Sequence, residues 1–348
     1  MCNKEMTKGL AIESALQKGV VEMPIPTPGA GQVLVQMAAV GICGSDLHYY
    51  NEGRVGNFQI REPFTPGHEA SGYIAALGEG VEGLEVGQPI AINPSKTCGT
   101  CEFCRDGSRH LCSNNGFMGS ASRFPHSQGM MRGYFVAEEF QCKPVPAELD
   151  IRLATMAEPF SVALHAVSRA GSPMGKRVLV VGGGTIGLLV AVGAKVGGAK
   201  EVVLSDPSEY ARNTAKALGI DVVIDGFLPL EEKQKQAGVI DIAFEAAGVE
   251  PALADCLELV RRAGVVVQVG TVPTLTGRAN LNLAMNKELD YKGSFRFDGE
   301  YDYALHLIAT GKVDLMPMIS GSFPLEEAAE AFALASDSTR STKVMVTA

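Results

Sequence analysis

The segment VLVVGGGTIGLL, residues 178–189, decides the fold. Four apolar residues at 178–181 suit a buried strand. Gly182, Gly184 and Gly187 then fall in the spacing G-x-G-x-x-G, with Ile186 inside the motif and an apolar helix beyond it. Glycines at these positions permit a tight turn and let backbone N–H groups and the positive helix end meet a pyrophosphate. Taken alone, the pattern also fits a turn that only packs a helix on a sheet. The next apolar run, EVVLSD at 201–206, ends in Asp206, 24 residues after Gly182. A carboxylate there accepts hydrogen bonds from both hydroxyls of an adenosine ribose. Strand, glycine loop, helix, strand and acid in this order predict a dinucleotide site. Asp206 repels a ribose phosphate, which favours NAD; Arg212 offsets part of that repulsion and keeps NADP as the alternative.

Outward from this segment, apolar runs recur between 176 and 293 as VLVV, EVVLSD, DVVID, DIAFEAAG and VVVQVG. Helical stretches such as SEYARNTAKALG and EPALADCLELVRR lie between several of them, the alternation a doubly wound parallel sheet requires. Upstream, 19–140 holds short β-type runs broken by Gly and Pro, among them QVLVQMAAV, ASGYIAAL and PIAIN, and reads as an irregular all-β body. The last fifty or so residues predict a helix at 325–334 and a strand at 343–346. The expected fold is therefore α/β with two domains: 158–293 binds the dinucleotide, and 1–157 with 294–348 forms the catalytic part.

Two domains also suit a chain of 348 residues with 46% hydrophobic residues. The net charge of −9 argues against nucleic acid or an anionic membrane as partner and leaves small molecules. The N-terminal MCNKEMTKGL has no signal-like apolar stretch, so a cytoplasmic location is expected. The nearly apolar run 178–194 is interrupted by five glycines and reads as strand, loop and helix rather than a membrane span.

Eight cysteines in a cytosolic chain do not suggest a disulfide framework. Cys98, Cys101, Cys104 and Cys112 follow C-x2-C-x2-C-x7-C, a spacing that can close a tetrahedron of thiolates around zinc with no position left for substrate. Cys2, Cys142 and Cys256 are isolated and read as ordinary thiols. A second set is dispersed: GICGSDLHYY carries Cys43, Ser45, His48 and Tyr49, TPGHE carries His68 and Glu69, and AEPFSVALHA carries Glu158. Singly each has an ordinary structural explanation. Together they offer a thiolate, an imidazole and a carboxylate, with a fourth position open to water or substrate.

GICGSDLHYY, GHE, the four-cysteine lobe, AEP and the glycine fingerprint, in this order over essentially the whole chain, resemble the zinc-containing medium-chain dehydrogenases of the sorbitol dehydrogenase branch. Within it, CGSDLHYYNEGRVGNF, AINPSKTCGTCEFC and KGSFRF are most similar to the bacterial L-idonate 5-dehydrogenases. The resemblance implies a GroES-like β-barrel catalytic domain and two zinc ions per chain, one catalytic and one structural. Cys43, His68 and either Glu69 or Glu158 would hold the catalytic zinc, and Ser45 and His48 would relay the alcohol proton. Tyr49, Phe117 and Arg296 would stand near the substrate, with Arg54, Lys96 and Arg123 as further cations for a carboxylate. Val269, Gly270 and Phe295 would face the cofactor. A homotetramer is implied as well. Ala211 departs from the arginine many relatives carry there, and VGQPIA replaces the usual VGDRV.

The expected reaction is oxidation of a secondary hydroxyl on a sugar acid or polyol, in an interdomain cleft where zinc and nicotinamide converge. A dehydrogenase of the same fold acting on a simple alcohol or amino alcohol is the nearest alternative. A non-catalytic nucleotide-binding protein is the remote one, and it predicts erosion of the zinc shell, whose candidate ligands are all present.

Overall fold

In Gln32–Gly41, Val33, Val35 and Met37 are buried while Gln36 is exposed, the period-two pattern of a strand with one face on a core. This strand pairs antiparallel with Glu69–Leu77 and with Tyr134–Glu138. It is central to a seven-stranded sheet ordered Ile319–Pro324, Lys343–Thr347, Gln32–Gly41, Glu69–Leu77, Pro89–Ile92, Cys142–Pro144, with Tyr134–Glu138 pairing off that path. Ile74, Ile90, Phe135 and Phe332 fill the core against it. The chain is described by a computed structural model at residues 5–15, 17–272, 277 and 279–348; Cys2 lies outside them.

The glycine-fingerprint segment folds as strand β1 (Arg177–Val181) and helix α1 (Thr185–Val196). There follow β2 (Glu201–Asp206), α2 (Glu209–Ala217), β3 (Val222–Asp225), α3 (Leu230–Ala237), β4 (Ile240–Glu245), α4 (Glu250–Leu259), β5 (Val260–Gln268) and β6 (Asp290–Gly293). All six strands are parallel, in the order β3-β2-β1-β4-β5-β6. Val178, Leu179 and Val180 have no exposed surface, as expected of a parallel sheet with both faces covered. The order reverses between β1 and β4, the switch point at which such sheets bind ligands. Among the described residues no helix is long and apolar enough to cross a membrane.

One element boundary differs from the sequence expectation. EPALADCLELVRR was read as helical throughout, but α4 stops at Leu259 and Val260–Gln268 is strand. The Lys287 ammonium donates to the carbonyls of Leu257, Glu258 and Val260, satisfying acceptors at the helix end that the next turn would otherwise use.

The described residues fall into two compact units, Met1–Glu158 with Tyr301–Asp337 and Lys343–Ala348, and Pro159–Glu300 with Ser338–Thr342. The second unit therefore runs past 293 to Glu300, whose carboxylate is 2.8 Å from His165 Nδ1. It also takes back 338–342. There the Thr342 carbonyl accepts from Thr185 at 2.7 Å and the Ser338 carbonyl from Ser208 at 3.0 Å, anchoring the segment to the starts of α1 and α2.

Candidate metal centres and dinucleotide crevice

Cys43 is the N-cap of the helix Gly44–Glu52, and its backbone N–H donates to Asp46 at 3.0 Å. The other Asp46 oxygen accepts from Gly67 N–H at 3.0 Å and lies 3.8 Å from His68 Nδ1. A wholly buried aspartate thus ties the cysteine turn to the Gly67–His68 turn. Glu69 opens the neighbouring strand, and both its oxygens accept from Lys343, at 2.8 and 2.6 Å. Lys343 and Glu69 are each 1% exposed, and Lys343 also donates to the Ile42 carbonyl. Burial lowers the lysine's proton affinity, but Glu69 and Cys43 outweigh it and hold the ammonium above its ordinary value.

The ligand atoms of Cys43, His68 and Glu69 lie within 4.8 Å of one another. Glu158, 4% exposed, acts electrostatically on His68. Burial disfavours the His68 imidazolium, yet Asp46, Cys43 and Glu158 together hold it well above its usual range. A thiol, an imidazole and a carboxylate within this reach, the last two buried, make a donor set that fits a divalent cation of zinc's type.

The four-cysteine lobe is built differently. Its sulfurs also lie within 4.8 Å of one another, with Cys98 at 4.0 Å from Cys104 and 3.5 Å from Cys112. A tetrahedron with Zn–S bonds of about 2.3 Å has edges of about 3.8 Å. Backbone N–H groups of Cys98, Cys101 and Asn114 point at the sulfurs, each at 3.4 Å. Hydrogen bonds from Thr100 and Cys101 pull the Cys98 thiol down to about 6. Donors already aimed at thiolates fit a metal held by four sulfurs.

The remaining candidates of this unit divide. Phe117 is buried with its ring centroid 5.7 Å from that of His68, beside the donor set. His48 is exposed and its Nδ1 is 2.8 Å from Glu52, on the same helix as half-buried Ser45. Tyr49 is 3% exposed, packs on Phe64 at 4.9 Å, and its hydroxyl accepts from Ala121 N–H. Lys96 is engaged with Glu138 at 2.5 Å. Asp46 and Lys343 were missed. Asp46 was visible as an acid three positions after an N-cap; Lys343 gave no local signal, because its partner is 274 residues away.

In the other unit, a cavity of about 550 Å³ opens at the carboxyl ends of the strands, lined by Gly182, Gly183, Gly184 and Asp206 among others. Gly187 is required for the turn: a Cβ there would stand 1.8 Å from the Gly182 carbonyl oxygen. The Asp206 carboxylate is fixed by N–H groups of Gly183 at 2.6 Å and Ser208 at 2.7 Å. The Arg212 guanidinium donates to the carbonyls of Asp206 and Pro207 and lies 3.4 Å from Asp225. Val269 and Gly270 donate to the Glu245 carbonyl. Arg296 has φ of 53° and stacks over Phe295 at 5.0 Å, with Phe295 itself 56% exposed.

Comparison with known proteins bears on both units. Residues 29–147 match the alcohol dehydrogenase GroES-like domain and 185–310 the zinc-binding dehydrogenase family. The chain is 38% identical over 314 residues to the L-idonate 5-dehydrogenase (NAD(P)(+)) of Escherichia coli K12, covering 90% of this chain and 91% of that one. It is 36% identical to the sorbitol dehydrogenase of Gallus gallus, over 89% and 87% of the two chains. The crystal structure of the Escherichia coli L-idonate 5-dehydrogenase superposes with a TM-score of 0.93 over 99% of each chain, at 36% identity. The family resemblance read from the motifs and the fold it implied are both borne out. The chain belongs to the zinc-binding alcohol dehydrogenases, enzymes that join a GroES-like domain to a dinucleotide-binding domain and use zinc and a nicotinamide cofactor.

Proposed function

We propose that this enzyme interconverts L-idonate and 5-keto-D-gluconate by oxidising the C5 hydroxyl, with NAD as the preferred cofactor. The observation that carries the reading is the complete donor set Cys43, His68 and Glu69 in a chain 38% identical to an L-idonate 5-dehydrogenase over nine-tenths of its length. When bound, zinc supplies the Lewis acidity that makes a hydroxyl acidic near neutral pH, and the nicotinamide supplies the hydride acceptor. Cys43, His68 and Glu69 hold the catalytic ion, with Glu158 acting through water. Lys343 neutralises part of the charge on Glu69 and keeps its carboxylate oriented. Phe117 excludes water beside His68. Ser45 takes the alcohol proton and His48, exposed and held by Glu52, delivers it to solvent. Cys98, Cys101, Cys104 and Cys112 hold a second, structural ion.

Asp206, fixed by two backbone donors, meets the ribose hydroxyls. Arg212 is engaged with two carbonyls and near a carboxylate, so it offers little to a ribose phosphate. Arg296 is assigned to the substrate carboxylate, which lies about 5 Å from C5 in an extended chain, because an unpaired carboxylate is costly to desolvate. Tyr49 is assigned with Phe117 to the substrate side, its hydroxyl held by the Ala121 N–H. A cytoplasmic homotetramer completes the proposal, on the resemblance alone.

The test is kcat/KM for L-idonate, sorbitol and xylitol in the native protein and in Arg296→Ala. A variant that loses L-idonate selectively supports the carboxylate assignment; equal loss on all three removes it. The second reading is a sorbitol-type polyol dehydrogenase, favoured by the 36% identity to the Gallus gallus enzyme. A native preference for the neutral polyols would establish it.

A further inference from the structure

Glu245 ends β4 with no exposed surface, yet it is the hub of three chain segments. One carboxylate oxygen accepts from Ala247 N–H at 3.0 Å and Gly248 N–H at 2.7 Å. The other accepts from the Gln268 side-chain amide, which donates as well to the Gly270 carbonyl at 2.7 Å. The amide oxygen of Gln268 accepts from the Tyr291 hydroxyl at 2.7 Å, and its backbone carbonyl accepts from Ser294 N–H at 3.0 Å. Gln268 therefore binds together the carboxyl ends of β4, β5 and β6. The backbone is drawn so close that a Cβ on Gly270 would lie 2.3 Å from Gly248 nitrogen and 2.7 Å from Glu245 Oε2.

Asp206 at the end of β2 marks the adenosine half of the crevice, on one side of the switch point between β1 and β4. A dinucleotide lying across that point brings its other half over the ends of β4, β5 and β6. We infer that Gln268, held by Glu245 and Tyr291, is a positioning residue for the nicotinamide half of the cofactor. It fixes the Val269–Gly270 turn and Ser294 at the strand ends beside which a carboxamide-bearing ring would lie, with the Val269 and Gly270 N–H groups held on the Glu245 carbonyl and the Ser294 N–H on the Gln268 carbonyl. Gln268 does not touch the ring. It removes the ordering cost that a loose turn would otherwise impose at binding. An apolar residue at 268 would also leave Glu245 with one buried oxygen lacking this donor, so the strand ends would shift to find another.

This inference rests on the proposed nicotinamide dinucleotide reading, and calorimetric titration separates the two. NADH and ADP-ribose, which lacks the nicotinamide, are titrated into native protein, Gln268→Leu and Tyr291→Phe, each zinc-loaded. In Gln268→Leu the Kd for NADH is expected to rise about tenfold, as for loss of one charge-assisted hydrogen bond, while that for ADP-ribose stays within about twofold. Tyr291→Phe, which removes a single hydroxyl and leaves Glu245 its partner, is expected to show the same split at about threefold. If NADH and ADP-ribose weaken in parallel, or neither weakens, in both variants, Gln268 has no positioning role. Should Gln268→Leu fail to fold, Tyr291→Phe decides alone. Native protein that binds neither ligand overturns the cofactor reading itself, and this inference with it.

Discussion

Lys343 and Glu69 meet at 2.6 Å with about 1% of either exposed, so neither can be removed without stranding the other. Breaking a buried pair from one side costs about 3–5 kcal/mol, because an uncompensated charge remains. Lys343→Met is expected to lower the thermal midpoint measured by calorimetry and to weaken zinc retention through the freed Glu69; an unchanged midpoint would show that the pair is dispensable. Asp206 makes a gentler test. Asp206→Asn keeps an acceptor for one of the N–H groups of Gly183 and Ser208 but removes the charge that repels a ribose phosphate. Its kcat/KM with NAD should fall and the ratio of NAD to NADP should narrow by about tenfold, one charge interaction of about 1.4 kcal/mol. A native enzyme that favours NADP would contradict the reading. At this scale the sequence was legible wherever a residue type is rare and spaced for one chemistry, as with Cys43, His68 and the four-cysteine lobe. It was silent where the partner comes from a distant strand, as with Lys343.

The two donor sets sit on elements with different prospects without metal. The cysteine lobe has only the short helix Glu102–Arg105 and a single 3-10 turn at Arg109–Leu111, so little besides its ligands can hold it. Cys43 caps a helix whose turn is also tied by Asp46 to Gly67. Cys101→Ala is therefore expected to lose one zinc equivalent together with thermal stability, since structural zinc binding is coupled to folding. Cys43→Ala should lose one equivalent, retain its fold by circular dichroism and have no activity. Elemental analysis with thermal melts distinguishes the two, and zinc absent from both sites in metal-replete protein would contradict the account. The strand and helix alternation of 176–293 was readable because each element has its own period. The end of α4 was not: ELVRR continues a helical pattern, and what stops it is Lys287, nearly thirty residues later in the chain.

On the scale of the whole molecule, the parallel sheet followed from sequence because its strands succeed one another and its fingerprint names the first. The GroES-like part did not follow from residues alone; it came with the resemblance. Its sheet pairs Gly41 with Glu69 and Met345 with Gly41, antiparallel registers that leave no trace in local composition. The return of 338–342 to the dinucleotide unit is equally invisible, since it depends on two side-chain to backbone hydrogen bonds. What joins these features is one claim, that a zinc shell and an NAD crevice in this chain serve oxidation of a sugar acid. The most direct measurement is the steady-state rate of NADH formation by zinc-replete protein with L-idonate, sorbitol and xylitol compared side by side. L-idonate is expected to have the highest kcat/KM, by at least about tenfold, equivalent to about 1.4 kcal/mol of preferential transition-state binding. A higher kcat/KM for sorbitol or xylitol would contradict it.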